Sequence, residues 1–472
     1  MPDKYETIIG LEVHIQLKTK SKMFCACDND SEKAEPNTNI CPTCMGIVGT
    51  LPRMNKIAFV WALRTSLALH GEIAEKTIWD RKSYFYPDLP KGYQISQFDH
   101  PLSEKGYLDI IYEDKEERIK INRLHLEEDA GKLIHPPGKQ YSLIDLNRAG
   151  TPLMEIVTEP VISSPQAAKE FLKELQRIVR YLDVSDADME KGHLRCDASI
   201  SLRPKGEKKL YPRSEIKNLN SFRAVEKALE YEYQKHLQKW ESNQVQKKQE
   251  TVGWIENKGK TEFLRTKEES NDYRYFPDPD IPPIEVDKEL IEEQRTYLPV
   301  LPSVKKKEYL DLGLKDFETD IIIRDKSTTD YFDKCLAEVG KKEHMIKTLI
   351  NWTLKVLLPY SKNIELEAKH FSSLVKTVAN KELTRLVAEN IFKLMVYKKI
   401  SFNEAKKAVC SDKDSLNLSE LVKETINEKP DVIQDFKNGK DKALNMLIGC
   451  IMKKSKGMFP PEEVIKEIKK QL

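Results

Sequence analysis

The chain has 472 residues, of which 39% are hydrophobic and 33% charged, with 78 lysines and arginines against 76 acids. Its length suggests about three domains. A mean hydropathy of −0.57, with no apolar run near the roughly 20 residues of a membrane span, excludes an integral helical membrane protein. No basic-apolar-small leader opens the sequence, so a cytoplasmic location without a membrane partner is expected. The net charge of +2 neither requires nor excludes nucleic acid, because local clustering decides that.

The first strand, Glu6 to Lys18, alternates strictly. Ile9, Leu11, Val13, Ile15 and Leu17 take one face, leaving Gly10, Glu12, His14 and Gln16 on the other. Glu12 and His14 are about 7 Å apart along such a strand, close enough to reach one metal ion or one substrate. An ordinary polar strand face has the same pattern.

Cys25-Ala-Cys27 and Cys41-Pro-Thr-Cys44 follow. Two short knuckles of this kind can close a thiolate tetrahedron round Zn²⁺, and a closed four-cysteine site is structural because it leaves no position for water. A redox CxxC competes with this reading but leaves Cys25 and Cys27 unexplained. Cys196, Cys335, Cys410 and Cys450 are isolated and read as small buried hydrophobes. The loop from Asp80 to Gln94 interleaves cations with Tyr84, Phe85, Tyr86 and Tyr93. Such a loop can stack a base or line a polar passage, and can equally be a packed loop with snorkelling lysines.

Further strands carry acids. In a straight strand from Arg123 to Asp129, Arg123, His125, Glu127 and Asp129 share a face and Glu128 points the other way. The phase of Ile119 and Ile121 conflicts with this, so a bulge is one solution and the choice between Glu127 and Glu128 stays open. Glu155 interrupts the apolar run Pro152 to Val157, where a buried carboxylate needs a cation or a hydrogen-bond network. In Leu194 to Leu202, Arg195, Asp197 and Ser199 share the polar side. Strands of this kind would form a carboxylate-lined face suited to Mg²⁺ carrying nucleotide phosphates, although local Arg and Lys pairing would account for each strand singly. No GxxxxGK[ST] run is present, which excludes a P-loop route to ATP.

Three prolines between Asp278 and Pro283 mark a seam. Beyond it the chain turns to Lys-, Glu- and Leu-rich helical runs, including Lys347 to Leu358, Lys381 to Lys398 and Ala443 to Met452. The last of these is flanked by Asn438-Gly-Lys440 and Lys456-Gly457. The expected domains are 1–294, 295–405 and 406–472.

Ile9-Gly-Leu-Glu-Val-His14, Arg81 to Asp88, Tyr93 to Gln97, His125 to Lys132, Asp145 to Glu155, Leu194 to Asp197, Glu215 to Phe222 and Asp272 to Pro277 together resemble the B subunit of the aspartyl/glutamyl-tRNA amidotransferase. They occur in family order. The resemblance implies an α+β, glutamine-synthetase-like cradle with a mainly antiparallel sheet, followed by all-α helical and tail domains, the tail meeting the tRNA. It implies ATP-dependent amidation of mischarged Glu-tRNA(Gln) or Asp-tRNA(Asn), in a heterotrimer with the A subunit, a glutaminase, and the small C subunit. His14, Glu128 and Glu155 match the family's Mg²⁺ positions with Glu12 beside them, and Glu127 and Asp197 are further candidates at the ATP–Mg²⁺ site. Lys82, Tyr84 and Lys91 match positions along the ammonia passage. Some relatives lack Cys25, Cys27, Cys41 and Cys44, which fits a structural Zn²⁺. From Lys437 to Lys456 six lysines face one acid, a patch suited to phosphate contacts or to a solvated helix face. Two other classes use similar residues: a zinc-stabilised RNA-binding or assembly factor, and a metal-dependent hydrolase that needs no ATP.

Overall fold

The computed structural model describes residues 4–113, 115–267, 273–360, 365–411, 417–437, 441–455 and 457–472. It divides into two compact units, Met1–Lys307 and Glu308–Leu472. The first is built on a twelve-stranded sheet, β1 Tyr5–Gln16, β2 Glu72–Ile73, β3 Asp80–Ser83, β4 Tyr93–Ser96, β5 Ser103–Tyr112, β6 Lys115–Glu128, β7 Pro152–Thr158, β8 Leu194–Pro204, β9 Ser214–Leu219, β10 Gln249–Ile255, β11 Lys260–Lys267 and β12 Phe276–Pro277. The spatial order is β11-β10-β9-β8-β1-β7-β6-β4-β3-β12, with β5 on the early part of β6 and β2 on β5. All of these pairs are antiparallel except β9 with β10. This is the α+β organisation expected, with a mainly antiparallel sheet followed by helices.

β1 lies between β7 and β8 because its two faces differ so sharply. Ile9, Val13 and Ile15 are fully buried, Leu11 and Leu17 nearly so, and each such side chain contributes roughly 1.5–3 kcal/mol by leaving water. Helices α1 Lys56–Ala68, α2 Pro165–Tyr181 and α3 Phe222–Glu241 join this apolar face in one core. α2 starts where Ser164 accepts from the Ala167 amide and Pro165 fits the first turn. Its Ala168, Phe171, Leu172, Leu175 and Val179 then form the buried stripe.

The proline-rich stretch 278–283 lies inside the first unit, and that unit runs past residue 294 to Lys307. The cause is local: Phe276 and Pro277 pair with β3, Asp278 accepts from Arg81 at 2.7 Å, and Gln294, on the helix Lys288–Thr296, accepts from Arg64 at 2.8 Å. In the second unit the buried apolar residues form two clusters, one from Tyr309 to Ala405 and one from Val422 to Ile468. Among its described side chains, the helix Asp441–Lys454 buries only the stripe Ala443, Leu447 and Ile451, and Met446 is exposed, so it is less buried than its composition suggests. Its expected flanks Asn438, Gly439, Lys440 and Lys456 lie outside the described residues, as does Asp272.

Candidate active site

Strand pairing sets up the site. β6 to β7, β7 to β1 and β1 to β8 place His125 opposite Glu155, Glu155 opposite His14, and His14 opposite Arg195. A second row, two residues along, reads Arg123, Val157, Glu12, Asp197. Four strands that are far apart in sequence therefore deliver one polar surface on the face opposite the core.

The phase conflict in β6 is resolved at Asn122. Val157 pairs with Arg123 but Thr158 pairs with Ile121, so Asn122 is an extra residue, and Ile119, Ile121, Leu124 and Leu126 can all be buried. Downstream of the bulge, Glu127 reaches the His14 cluster. Glu128 does not. Its buried carboxylate accepts from Lys91 Nζ at 2.6 Å and from the Ile95 amide at 3.0 Å.

His14 Nε2 lies 3.3 Å from Glu155 Oε2, 3.6 Å from Glu127 Oε1 and 3.8 Å from Glu12 Oε1. His125 Nε2 is 3.4 Å from the same Glu155 oxygen and 4.0 Å from Glu127 Oε2. Burial opposes a charge on His14, yet the hydrogen bond to Glu155 and the charges of Glu127, Glu155 and Glu12 outweigh it and hold the imidazole up at about 9. Burial would raise the Glu155 carboxyl, but His125 and His14 keep it well below its ordinary range. Glu127 and Glu12 are both raised, first by burial and then by the Glu155 charge.

Two three-ligand sets share Glu155: Glu12 with His14, and His125 with Glu127. The donors are carboxylate oxygens plus imidazole nitrogen, a set that suits a hard divalent cation. Besides the two imidazoles, Arg123 lies 3.8 Å from Glu155, and the charges of Lys82 and Lys217 bear on Glu127 and Glu12. By the chemistry of its donor set, the cluster fits a cation. Arg195 is tied to Asp129 at 2.7 Å, and Gln16 donates to the same carboxylate at 2.9 Å. Asp197 is paired with Lys217.

Beside the row, Lys82 Nζ lies 4.9 Å from the Tyr273 ring centre and 5.9 Å from that of Tyr84. Burial and the nearby acids, including Glu127, raise the phenol pKa of both Tyr84 and Tyr275. Sequence alternation places His125 and Arg195 on polar faces without assigning them a role, and neither Lys217 nor Tyr275 stands out in it. Alternation within Glu215-Ile-Lys217 could have indicated Lys217. Only tertiary packing brings Tyr275 to Glu127.

Cys25, Cys27, Cys41 and Cys44 come together, their sulfurs within 4.8 Å of one another. The Cys44 thiol is pushed down to about 5 by a hydrogen bond from Cys25, against burial, with help from the Cys41 amide and the Lys22 charge. Lys22 is itself buried, 4.0 Å from Cys44 Sγ. Four convergent thiols with one already favouring thiolate can hold a metal.

Residues 7–292 match the model of the GatB/GatE catalytic domain and residues 330–472 that of the GatB domain. The chain belongs to the GatB family. It is 43% identical to the aspartyl/glutamyl-tRNA(Asn/Gln) amidotransferase B subunit of Persephonella marina, across 99% of this chain and all of that protein. The protein of the same name from Caldicellulosiruptor bescii is 42% identical, with 99% of each covered. A B subunit numbered 2 in Clostridium acetobutylicum is 43% identical over the same shares. The GatB/GatE catalytic match takes in the His14 cluster and the four cysteines, while the GatB domain match falls on the helices of the second unit. No helix among the described residues is long and apolar enough to cross a membrane.

Proposed function

We propose that this chain is the part of a tRNA-dependent amidotransferase that activates the side-chain carboxylate of Glu on tRNA(Gln), or of Asp on tRNA(Asn), and converts it to the amide. The reading is supported by the shared row of carboxylates and histidines across β6, β7, β1 and β8, in a chain that matches amidotransferase B subunits end to end. A carboxylate is a poor electrophile. Transfer of the γ-phosphoryl group of ATP to one of its oxygens releases ADP and supplies a leaving group. Ammonia then attacks the acyl carbon, the C–O bond to phosphate breaks, and the nitrogen loses a proton to give the amide.

His14, Glu12 and Glu155, with Glu127 and His125 beside them, would hold Mg²⁺, which screens the polyphosphate from the carboxylate it approaches. Arg123 and Arg195 flank the row, each with a buried Nε–H that has no protein acceptor. They would draw phosphate oxygens toward it. Asp197, paired with Lys217, closes the far end. We assign the Glu128 carboxylate to Lys91 and not to the cation, because that pair already satisfies it. Lys82, Tyr84 and Lys91 would line the approach of ammonia, where fixed ammonium charge repels NH₄⁺ and passes NH₃. Zn²⁺ would occupy the four cysteines. The glutaminase, or A, subunit together with the small C subunit would complete the enzyme, and the helical tail would meet the tRNA.

The test is amide formation on Glu-tRNA(Gln) and Asp-tRNA(Asn) with ATP, Mg²⁺ and either glutamine plus the partner subunits or ammonium alone. His14→Ala and Glu155→Gln should abolish both activities, and Lys91→Ala should reduce the glutamine-driven one more. Retention of both activities in all three variants would overturn the site assignment, and water-dependent cleavage without ADP release would overturn the reaction.

A further inference from the structure

Phe98 belongs neither to the buried core of the first unit nor to the apolar side chains packed against it, and 42% of it is exposed. Its ring is nonetheless held. It lies parallel to the ring of Tyr275, with centroids 4.0 Å apart and planes at 10°. Tyr273 meets Tyr275 edge-on at 6.3 Å, and Tyr84 meets Tyr273 in the same way at 6.0 Å. Edge-on contacts of this kind are ordinary packing. The parallel pair differs from them, because Tyr275 covers one face of Phe98 and the exposure that remains is that of the opposite face and the edge.

Backbone pairing fixes this pair beside the His14 cluster. Phe98 stands two residues beyond Ser96, which pairs with Glu127 and donates to its Oε2 at 3.3 Å. The Phe98 amide donates to the buried Asp80 at 3.1 Å. Asp80 pairs in turn with Pro277, and Arg81 with Phe276, so β12 brings Tyr275 in from the other side. Burial first, and then the charges of Glu127 and Glu155, raise the Tyr275 phenol. Both halves of the stack are thus tied to groups of the cluster.

We infer that Phe98, backed by Tyr275, is the platform on which an adenine ring stacks at the edge of the His14 cluster. This rests on the function proposed above. A parallel pair with one open face accepts a third flat ring, and stacking on an aromatic side chain holds a base whatever its sequence context. Of the molecules that reaction brings to the cluster, ammonia and the side chain of Glu or Asp have no aromatic ring. ATP has an adenine, and so has the 3′-terminal adenosine of tRNA, which carries the amino acid as its ester.

The experiment uses the enzyme assembled with its partner subunits and compares Phe98→Leu with Phe98→Tyr. Phe98→Leu keeps an apolar side chain without a π face, so the KM of the substrate whose adenine stacks there should rise about tenfold, with kcat changed less than about twofold. Phe98→Tyr keeps the face and should restore the parent value. A rise confined to Glu-tRNA(Gln) or Asp-tRNA(Asn) assigns the platform to the terminal adenosine, and a rise confined to ATP assigns it to the nucleotide. 2-Aminopurine gives a readout independent of turnover, since stacking quenches its fluorescence. Placed at the 3′ end of the tRNA, or supplied as 2-aminopurine riboside triphosphate, it should be quenched by the parent in one of the two cases and stay bright with Phe98→Leu. Unchanged KM values for both substrates in Phe98→Leu, or an equal loss in Phe98→Leu and Phe98→Tyr, would overturn the platform. A parent enzyme that forms no amide would instead overturn the proposed function, and the quenching would still decide whether a base stacks on Phe98.

Discussion

Divalent cation binding at the His14 cluster should be strongly linked to pH. Without a cation the surrounding carboxylates hold His14 up at about 9, so at pH 7 only about one molecule in a hundred has the neutral imidazole a cation needs. Displacing that proton weakens apparent affinity about a hundredfold at pH 7, or about 2.7 kcal/mol at 1.36 kcal/mol per pH unit. Affinity for Mg²⁺ or Mn²⁺ should therefore rise about tenfold per unit between pH 6.5 and 8.5 and level off above 9. Calorimetry in two buffers of different ionisation enthalpy should count about one proton released per ion at pH 7.5. The metal-free protein supplies an independent check. Because the folded value lies above the unfolded one near 6.5, His14 contributes stability that is fully present below pH 6.5 and lost as pH rises through 9, about 3 kcal/mol in all. Saturating Mg²⁺ should remove that slope. An affinity that stays constant from pH 6.5 to 8.5 with no proton release would refute His14 as a ligand.

Glu127→Gln should weaken Mn²⁺ binding at least tenfold in an EPR titration, whereas Glu128→Gln should change it by less than about threefold. Glu128→Gln should instead lower folding stability by about 3 kcal/mol in urea, since it leaves Lys91 buried without its counter-charge. Gly46→Ala should cost about 1–3 kcal/mol, because φ is +68° and the new methyl would sit 2.7–2.9 Å from Lys91 atoms; an unchanged urea midpoint would count against that packing. Elemental analysis should find about one zinc per chain, and its removal by a strong chelator should expose four reactive thiols and lower the melting temperature.

Much of the site was legible because a strand's period of two is unforgiving. The alternation of Ile9 to Leu17 placed Glu12 and His14 together, and the structure keeps them together. The interruption of an apolar run marked Glu155, now found bonded to two histidines. What the residues could not reveal was register between strands distant in sequence. Nothing in β1 alone says that His14 faces Glu155, or that Arg195 follows on the other side. The end of the first compact unit, beyond residue 294, was hidden for a similar reason. Prolines signal a break in local structure, but Phe276, Asp278 and Gln294 are held by long-range partners at β3, Arg81 and Arg64.

The choice between Glu127 and Glu128 carries the larger physical point. Ile119 and Ile121 set one phase and Leu124 and Leu126 the other, and burying all four requires one extra residue between them. Asn122 supplies it, and its side chain donates to Glu159 at 2.6 Å. Without the bulge, the phase set by Ile119 and Ile121 would put Glu128 on the cluster face and Glu127 toward Lys91. With it, adjacent residues of one strand face opposite ways and take up different chemistry. Glu127 adds negative charge where a cation belongs, and Glu128 neutralises Lys91, buried between the cysteine knuckle and the sheet. Deleting Asn122 would exchange the two carboxylates between these environments and at the same time turn Leu124 and Leu126 out of the core. The sheet can hold the cluster and the core in register only through that single inserted residue.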